Sequence, residues 1–318
     1  MTNDIHAALA RFDGEYLPFP PFVVAKEAIV SNLELFCETG LARHILVLGE
    51  SGSGKSSLCQ WITSQYPRRV LPELDVNRVL LVFVPAGGAI SGIAEAMLTA
   101  LGDPHAASGS ISSMTARIVK LCKECRVELI LFDESQHLYD RGSSYTQYGK
   151  ADWLKTVIDK IGVPTVLLGL PRLEQLLQVN EQLRRRFSRR LRLALGQSDD
   201  ISVEDECLQL FISLANSMEL GVTAEPYAWQ EMGMRLFYAC DGRVGYVKKL
   251  LAAALRTCLE QSDDRIGVAT LERSFSDEIW WEGIGALNPF NSQFVFRRLD
   301  RGGEPFQKAH AGLRRGEA

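Results

Sequence analysis

The sequence predicts an α/β fold, a parallel sheet flanked by helices, followed by a small all-helical lid subdomain. Two observations carry this reading. Four short apolar runs, at 45–48, 79–84, 129–132 and 165–168, are β-branched or leucine-rich, as in strands buried on both faces. Segments with helical periodicity lie between them, at 57–66, 90–101, 114–126 and 151–161, the alternation expected of a parallel sheet with helical crossovers. After about residue 196 the strand-like runs stop and four helical patterns follow, at 203–220, 226–240, 246–261 and 269–281. Pro226 suits a first helical turn, and Gly242 with Gly245 suits a break before the third of these helices.

The chain divides accordingly into a lead-in region 1–44, an α/β subdomain 45–196, a helical subdomain 197–282 and a tail 283–318. The lead-in contains Tyr16-Leu-Pro-Phe-Pro-Pro-Phe22 and an amphipathic segment over 23–39. The tail is rich in Gly, Pro, Asn and Arg, with Phe290, Phe294, Phe296 and Phe306, and is expected to order only on a protein or DNA partner.

With 318 residues, 46% hydrophobic and 23% charged, the composition is that of an ordinary globular protein, and disorder or a fibrous repeat is excluded. No apolar run is long enough to span a bilayer, and the first twenty residues are too charged for a signal peptide, so a cytoplasmic location with no membrane partner is expected. A net charge of −4 argues against indiscriminate coating of nucleic acid, although six arginines cluster between Arg184 and Arg192. The seven cysteines form no disulfide framework; Cys122 and Cys125 read as two small residues one helical turn apart.

The chemistry is concentrated in two motifs. Gly49-Glu50-Ser51-Gly52-Ser53-Gly54-Lys55-Ser56, with Ser57 next, follows a buried strand and opens a helix, which is the context of a phosphate-binding P-loop. Glycines let backbone N–H groups turn toward the β-phosphate of ATP, Lys55 reaches the β and γ oxygens, and the Ser56 hydroxyl binds Mg2+. About eighty residues on, an apolar strand ends in Asp133 and Glu134. Asp133 is the second candidate magnesium residue, and Glu134 the candidate base for an attacking water, a pairing that favours hydrolysis over transfer. In the basic run, Arg186 beside Phe187, with Arg185 second, is the candidate arginine finger acting on a neighbouring subunit's nucleotide.

These residues resemble the AAA+ ATPases and, within them, the TniB / TnsC family of transposition regulators. The resemblance runs over about 15–260 and rests on the lead-in, the P-loop, Phe-Asp-Glu-Ser-Gln-His-Leu at 132–138, Leu-Leu-Gly-Leu-Pro-Arg-Leu at 167–173, Asn-Glu-Gln-Leu-Arg-Arg-Arg-Phe at 180–187 and Gly-Arg-Val-Gly-Tyr-Val-Lys-Lys-Leu-Leu at 242–251. It implies ATP and Mg2+ binding, homo-oligomeric assembly as a ring or helical filament on double-stranded DNA, and recruitment of a DDE-type transposase and a TniQ-like target-selecting protein. Other clients, such as a helicase loader's or a secretion system's, and a non-hydrolysing nucleotide-gated scaffold are the alternatives. The family's DNA-facing loops would correspond to 86–92 and 106–113, which contain no lysine or arginine but offer Ser91, Ser108, Ser110 and Ser112; the loop 139–149, with Arg141 and next to Lys150, is another candidate. Two departures from the pattern, Leu170 at the usual sensor position and Gly245 where many lids carry an arginine, imply slow or assembly-dependent hydrolysis; Arg243 or Lys248 is a substitute for the latter.

Overall fold

A computed structural model describes residues 6–10, 12, 19–70, 75–140, 144–197 and 200–307. Five strands, β1 (His44–Leu48), β2 (Val79–Phe83), β3 (Leu129–Asp133), β4 (Thr165–Gly169) and β5 (Arg189–Arg192), pair in parallel in the order β2-β3-β4-β1-β5. The central strands are apolar because both of their faces are covered: all five residues of β3 and of β4 are buried. Seven helices belong to the same compact unit, Pro18–Ala194: α1 (Pro20–Thr39), α2 (Lys55–Gln65), α3 (Ile90–Leu101), α4 (Ile111–Glu124), α5 (Ser144–Ile161), α6 (Glu174–Val179) and α7 (Glu181–Arg186). Their apolar faces meet the sheet through residues such as Met97, Leu98, Ile118, Leu154 and Val157, packed with Leu80, Val82, Ile130 and Phe132. Cys122 and Cys125 belong to this core, and burial pushes the Cys122 thiol up to about 12, as befits a packed side chain.

The basic run is not one surface: α7 ends at Arg186, Phe187 is fully buried against the His44 ring, and the chain then enters β5 at the sheet edge. Residues 13–18, with Tyr16, lie outside the described residues.

The second unit joins Met1–Leu17 to Leu195–Ala318. It contains α8 (Val203–Ser217), α9 (Trp229–Cys240), α10 (Val244–Gln261) and α11 (Val268–Glu278), with a two-stranded parallel pairing of Gly221–Val222 and Arg265–Ile266. Pro226 does not open a helix: it follows a cis peptide, and α9 begins at Trp229 after Ala228 in an extended conformation. Gly242, at φ 65°, makes the break before α10, whereas Gly245 lies within that helix.

The tail is the main correction. As far as residue 307 it is folded onto the helices of its own unit, with Phe290, Phe294, Leu299 and Phe306 buried. Arg235, 2% exposed, donates to the carbonyls of Pro289 (2.6 Å) and Asn291 (2.8 Å) and stacks 3.8 Å over Tyr227. Asn288 donates to the carbonyls of Glu272 and Gly283, both at 2.8 Å. The phenylalanines thus find intramolecular pockets, and buried side chains satisfy the irregular backbone. Phe290→Ala is expected to destabilise this unit by about 3–5 kcal/mol, as deletion of a fully buried ring does, measured by chemical denaturation. Lys308, Arg314 and Arg315 lie outside the described residues.

Candidate nucleotide site

The phosphate loop is shaped by what its glycines permit. A Cβ at Gly49 would stand 2.2 Å from Ser53 Oγ and 3.0 Å from the Leu193 carbonyl, and Gly54 has φ 91°, in the left-handed region. The Gly49 N–H donates to the Gly169 carbonyl at the end of β4 (3.1 Å), and the Ser53 N–H donates to the Glu50 carbonyl (3.1 Å). Helix α2 makes its first backbone bond from Leu58 N–H to the Gly54 carbonyl (2.9 Å), so the N–H groups of Lys55, Ser56 and Ser57 precede the intrahelical ladder. Glu50, Ser51 and Gly52 form the exposed lip of the loop.

Lys55 is 5% exposed, and its ammonium donates to the Gly49 and Glu50 carbonyls at 2.8 Å each. Burial pushes its pKa down, against the pull of Asp133, Glu134 and Glu50. Ser56 Oγ donates to Asp133 Oδ2 at 2.7 Å, while Asp133 Oδ1 accepts the Glu134 N–H at 2.8 Å. A hydroxyl and a fully buried carboxylate therefore converge beside the loop, the hard oxygen set that suits Mg2+. Glu134 has φ 55° and a side chain 45% exposed. Its Oε2 accepts from Gln136 Nε2 (2.5 Å) and stands 3.8 Å from His137 Nε2. His137 Nδ1 is 3.0 Å from Asp140 Oδ2, and Asp140 is paired with Arg172, just past the end of β4.

The fold thus brings together Gly49 to Ser57 with Asp133 and Glu134, and it does not bring Arg185 or Arg186 to them. Arg186 lines a pocket with His44, at the end of β1 opposite the phosphate loop, and makes a double hydrogen bond to Asp159 of α5 at 2.8 and 2.7 Å. His44 is pushed down to about 4 by burial and by the Arg186 charge, partly offset by Asp159. Arg185 is exposed. The Leu170 backbone N–H is bound by Gln136 Oε1 (3.1 Å), and Arg243 is held by Asp241 (3.1 Å) in the second unit. In the candidate DNA loop 106–113, Ser110 caps α4, and Arg117 donates to the Ser108 carbonyl (2.9 Å). Arg141 lies outside the described residues. Sequence reasoning gave no individual role to Gln136, Asp140 or Arg172, although Gln136 and Arg172 lie within the segments 132–138 and 167–173 and all three flank the ends of β3 and β4.

Residues 25–193, just over half of the chain, match the family model described as the bacterial TniB protein. The chain belongs to the TniB family. No curated protein matches it. Among solved structures, this TniB-family chain is similar to the ORC2 protein of Aeropyrum pernix in its ADPNP-ADP complexes, at 14% identity and a TM-score of 0.58, over 84% of this chain and 71% of that one. It is similar also to Cdc6p of Pyrobaculum aerophilum, at 14% identity and a TM-score of 0.57, over 83% of this chain and 69% of the other. The likeness is one of fold alone. Among the described residues of the TniB-family chain, no helix is long and apolar enough to cross a membrane.

Proposed function

We propose that this TniB-family protein is an ATP-hydrolysing switch that assembles on duplex DNA and regulates transposition by recruiting a transposase to its target. The observation that carries the catalytic part is the convergence of Ser56, Asp133 and Glu134 on the phosphate loop, with Lys55 beside them. Lys55 exchanges its two carbonyl partners for phosphate oxygens, and the N–H groups at the start of α2 receive the negative charge. Ser56 and Asp133 would hold Mg2+, which when bound would supply positive charge beside the phosphates. Glu134, exposed enough to meet solvent, takes the proton of the attacking water.

Arg186 lies too far from the loop of its own subunit to serve it, and we assign it to a neighbour's nucleotide in a homo-oligomeric ring or filament. Family membership supports the DNA, the DDE-type transposase and the TniQ-like protein as partners, and a cytoplasmic setting suits seven free cysteines. Electron microscopy with ATP, with and without duplex DNA, tests the assembly; ATP turnover with no DNA-dependent assembly would overturn this part.

Arg186→Ala is expected to lower DNA-stimulated turnover about a hundredfold while leaving ATP binding by the isolated subunit intact. Stability should hardly move, because the Asp159 pair is partly exposed. Mixing Arg186→Ala with Glu134→Gln should restore some turnover at interfaces that combine an intact finger with an intact base; co-assembly without recovery would count against action in trans.

A further inference from the structure

Gln136 is 2% exposed and lies in the short 3-10 turn Ser135–Leu138 that follows Glu134. Its amide has one donor end and one acceptor end engaged at once: Oε1 accepts the Leu170 N–H and Nε2 donates to Glu134 Oε2. Because a backbone N–H can only donate, the contact with Leu170 decides which way the amide faces, and Glu134 must then receive its N–H. The packing around the amide is close. A Cβ at Gly169 would stand 2.9 Å from Gln136 Oε1 and 3.0 Å from its backbone nitrogen, and Ser135 Oγ pins the turn by donating to the Phe132 carbonyl (2.8 Å).

We propose that Gln136 is the positioning residue for Glu134 and stands in for the polar sensor side chain that Leu170 does not supply. This rests on the hydrolysis reading above. The tip of β4 is hydrogen-bonded to the phosphate loop on one side, through the Gly169 carbonyl and Gly49 N–H, and to the Gln136 amide on the other. A movement of the loop on taking up phosphate is therefore carried by the β4 backbone to the Glu134 carboxylate. With Oε2 occupied by the amide, the carboxylate of this half-exposed, rotamer-rich side chain is held in one orientation with Oε1 left to meet water. Orientation of a catalytic group within about an ångström is worth about two orders of magnitude in rate.

The test compares the full-length protein with Gln136→Met, Gln136→Glu and Glu134→Gln, measuring ATP turnover across about pH 6 to about pH 9 and affinity by titration with a fluorescent ATP analogue. Gln136→Met removes both hydrogen bonds. Gln136→Glu keeps the size and the acceptor for Leu170, but donates to Glu134 only while the introduced carboxyl is protonated, a state favoured by the adjacent negative charge. Both variants are expected to bind the analogue within about twofold of the unaltered protein and to lose about tenfold or more in kcat near pH 9. Relative to the unaltered protein, the Gln136→Glu loss should shrink as pH falls, while the Gln136→Met loss should not. Normal turnover in both Gln136 variants beside a slow Glu134→Gln overturns the positioning role alone, as does a loss of kcat matched by an equal loss of affinity. If Glu134→Gln hydrolyses ATP at the unaltered rate, the hydrolysis reading fails, and the role of Gln136 with it.

Discussion

Lys55→Ala is expected to abolish ATP-dependent assembly and turnover while leaving the apo fold at least as stable as before. The ammonium sits almost fully inside the loop with two carbonyls for company, and burial works against its charge. A lysine whose pKa is lowered on folding opposes the folded state while it is protonated: the penalty is complete below the folded pKa, fades as pH rises from there toward the unfolded value, and is gone above it. Removing the side chain therefore relieves a desolvated charge in the absence of nucleotide, and melting should not fall. With nucleotide, the same change removes the only cation that the loop itself offers to the phosphates. A thermal melt with and without ATP checks both halves: the unaltered protein should gain stability from the ligand and Lys55→Ala should gain none. Equal ATP-induced shifts in the two proteins would disprove the assignment of the phosphate site.

Glu134→Gln should slow hydrolysis by about two to four orders of magnitude while preserving ATP affinity. The amide is isosteric with the carboxylate and can turn its oxygen toward Gln136 Nε2, so the local hydrogen bonding survives and only basicity is lost. Ser56 and Asp133 keep their mutual contact, and magnesium should still be retained. DNA-bound assemblies of the variant should outlast those of the unaltered protein, measured as dissociation after dilution into excess competitor. Unchanged lifetime beside slowed hydrolysis would mean that turnover does not end the assembled state.

What could be read from the sequence, and what could not, follows from burial. Strands β1 to β4 announce themselves because both faces must be apolar, and the phosphate loop because backbone curvature and helix start dictate glycine, lysine and serine in a set order. Strand β5 is silent because it is an edge strand with exposed arginines, and its place is decided by pairing with β1. The tail reads as unstructured because the group that satisfies its carbonyls, Arg235, comes from 54 and 56 residues away. Gln136 is illegible for the same reason: its meaning lies in an N–H 34 residues on. Local composition cannot report a contact made by a distant segment. For the arginine run, the sequence supplied the candidate, and the fold located Arg186 away from its own phosphate loop.

The backbone of Glu134, at φ 55°, occupies a region that costs a side-chain-bearing residue of order 1–3 kcal/mol and costs glycine almost nothing. Stability and activity are therefore set against each other at a single codon. Selection for heat resistance alone would favour glycine at position 134, and on the proposed chemistry the survivors would hold ATP without consuming it. The acid that this chain carries there then marks a demand that the fold, left to itself, opposes.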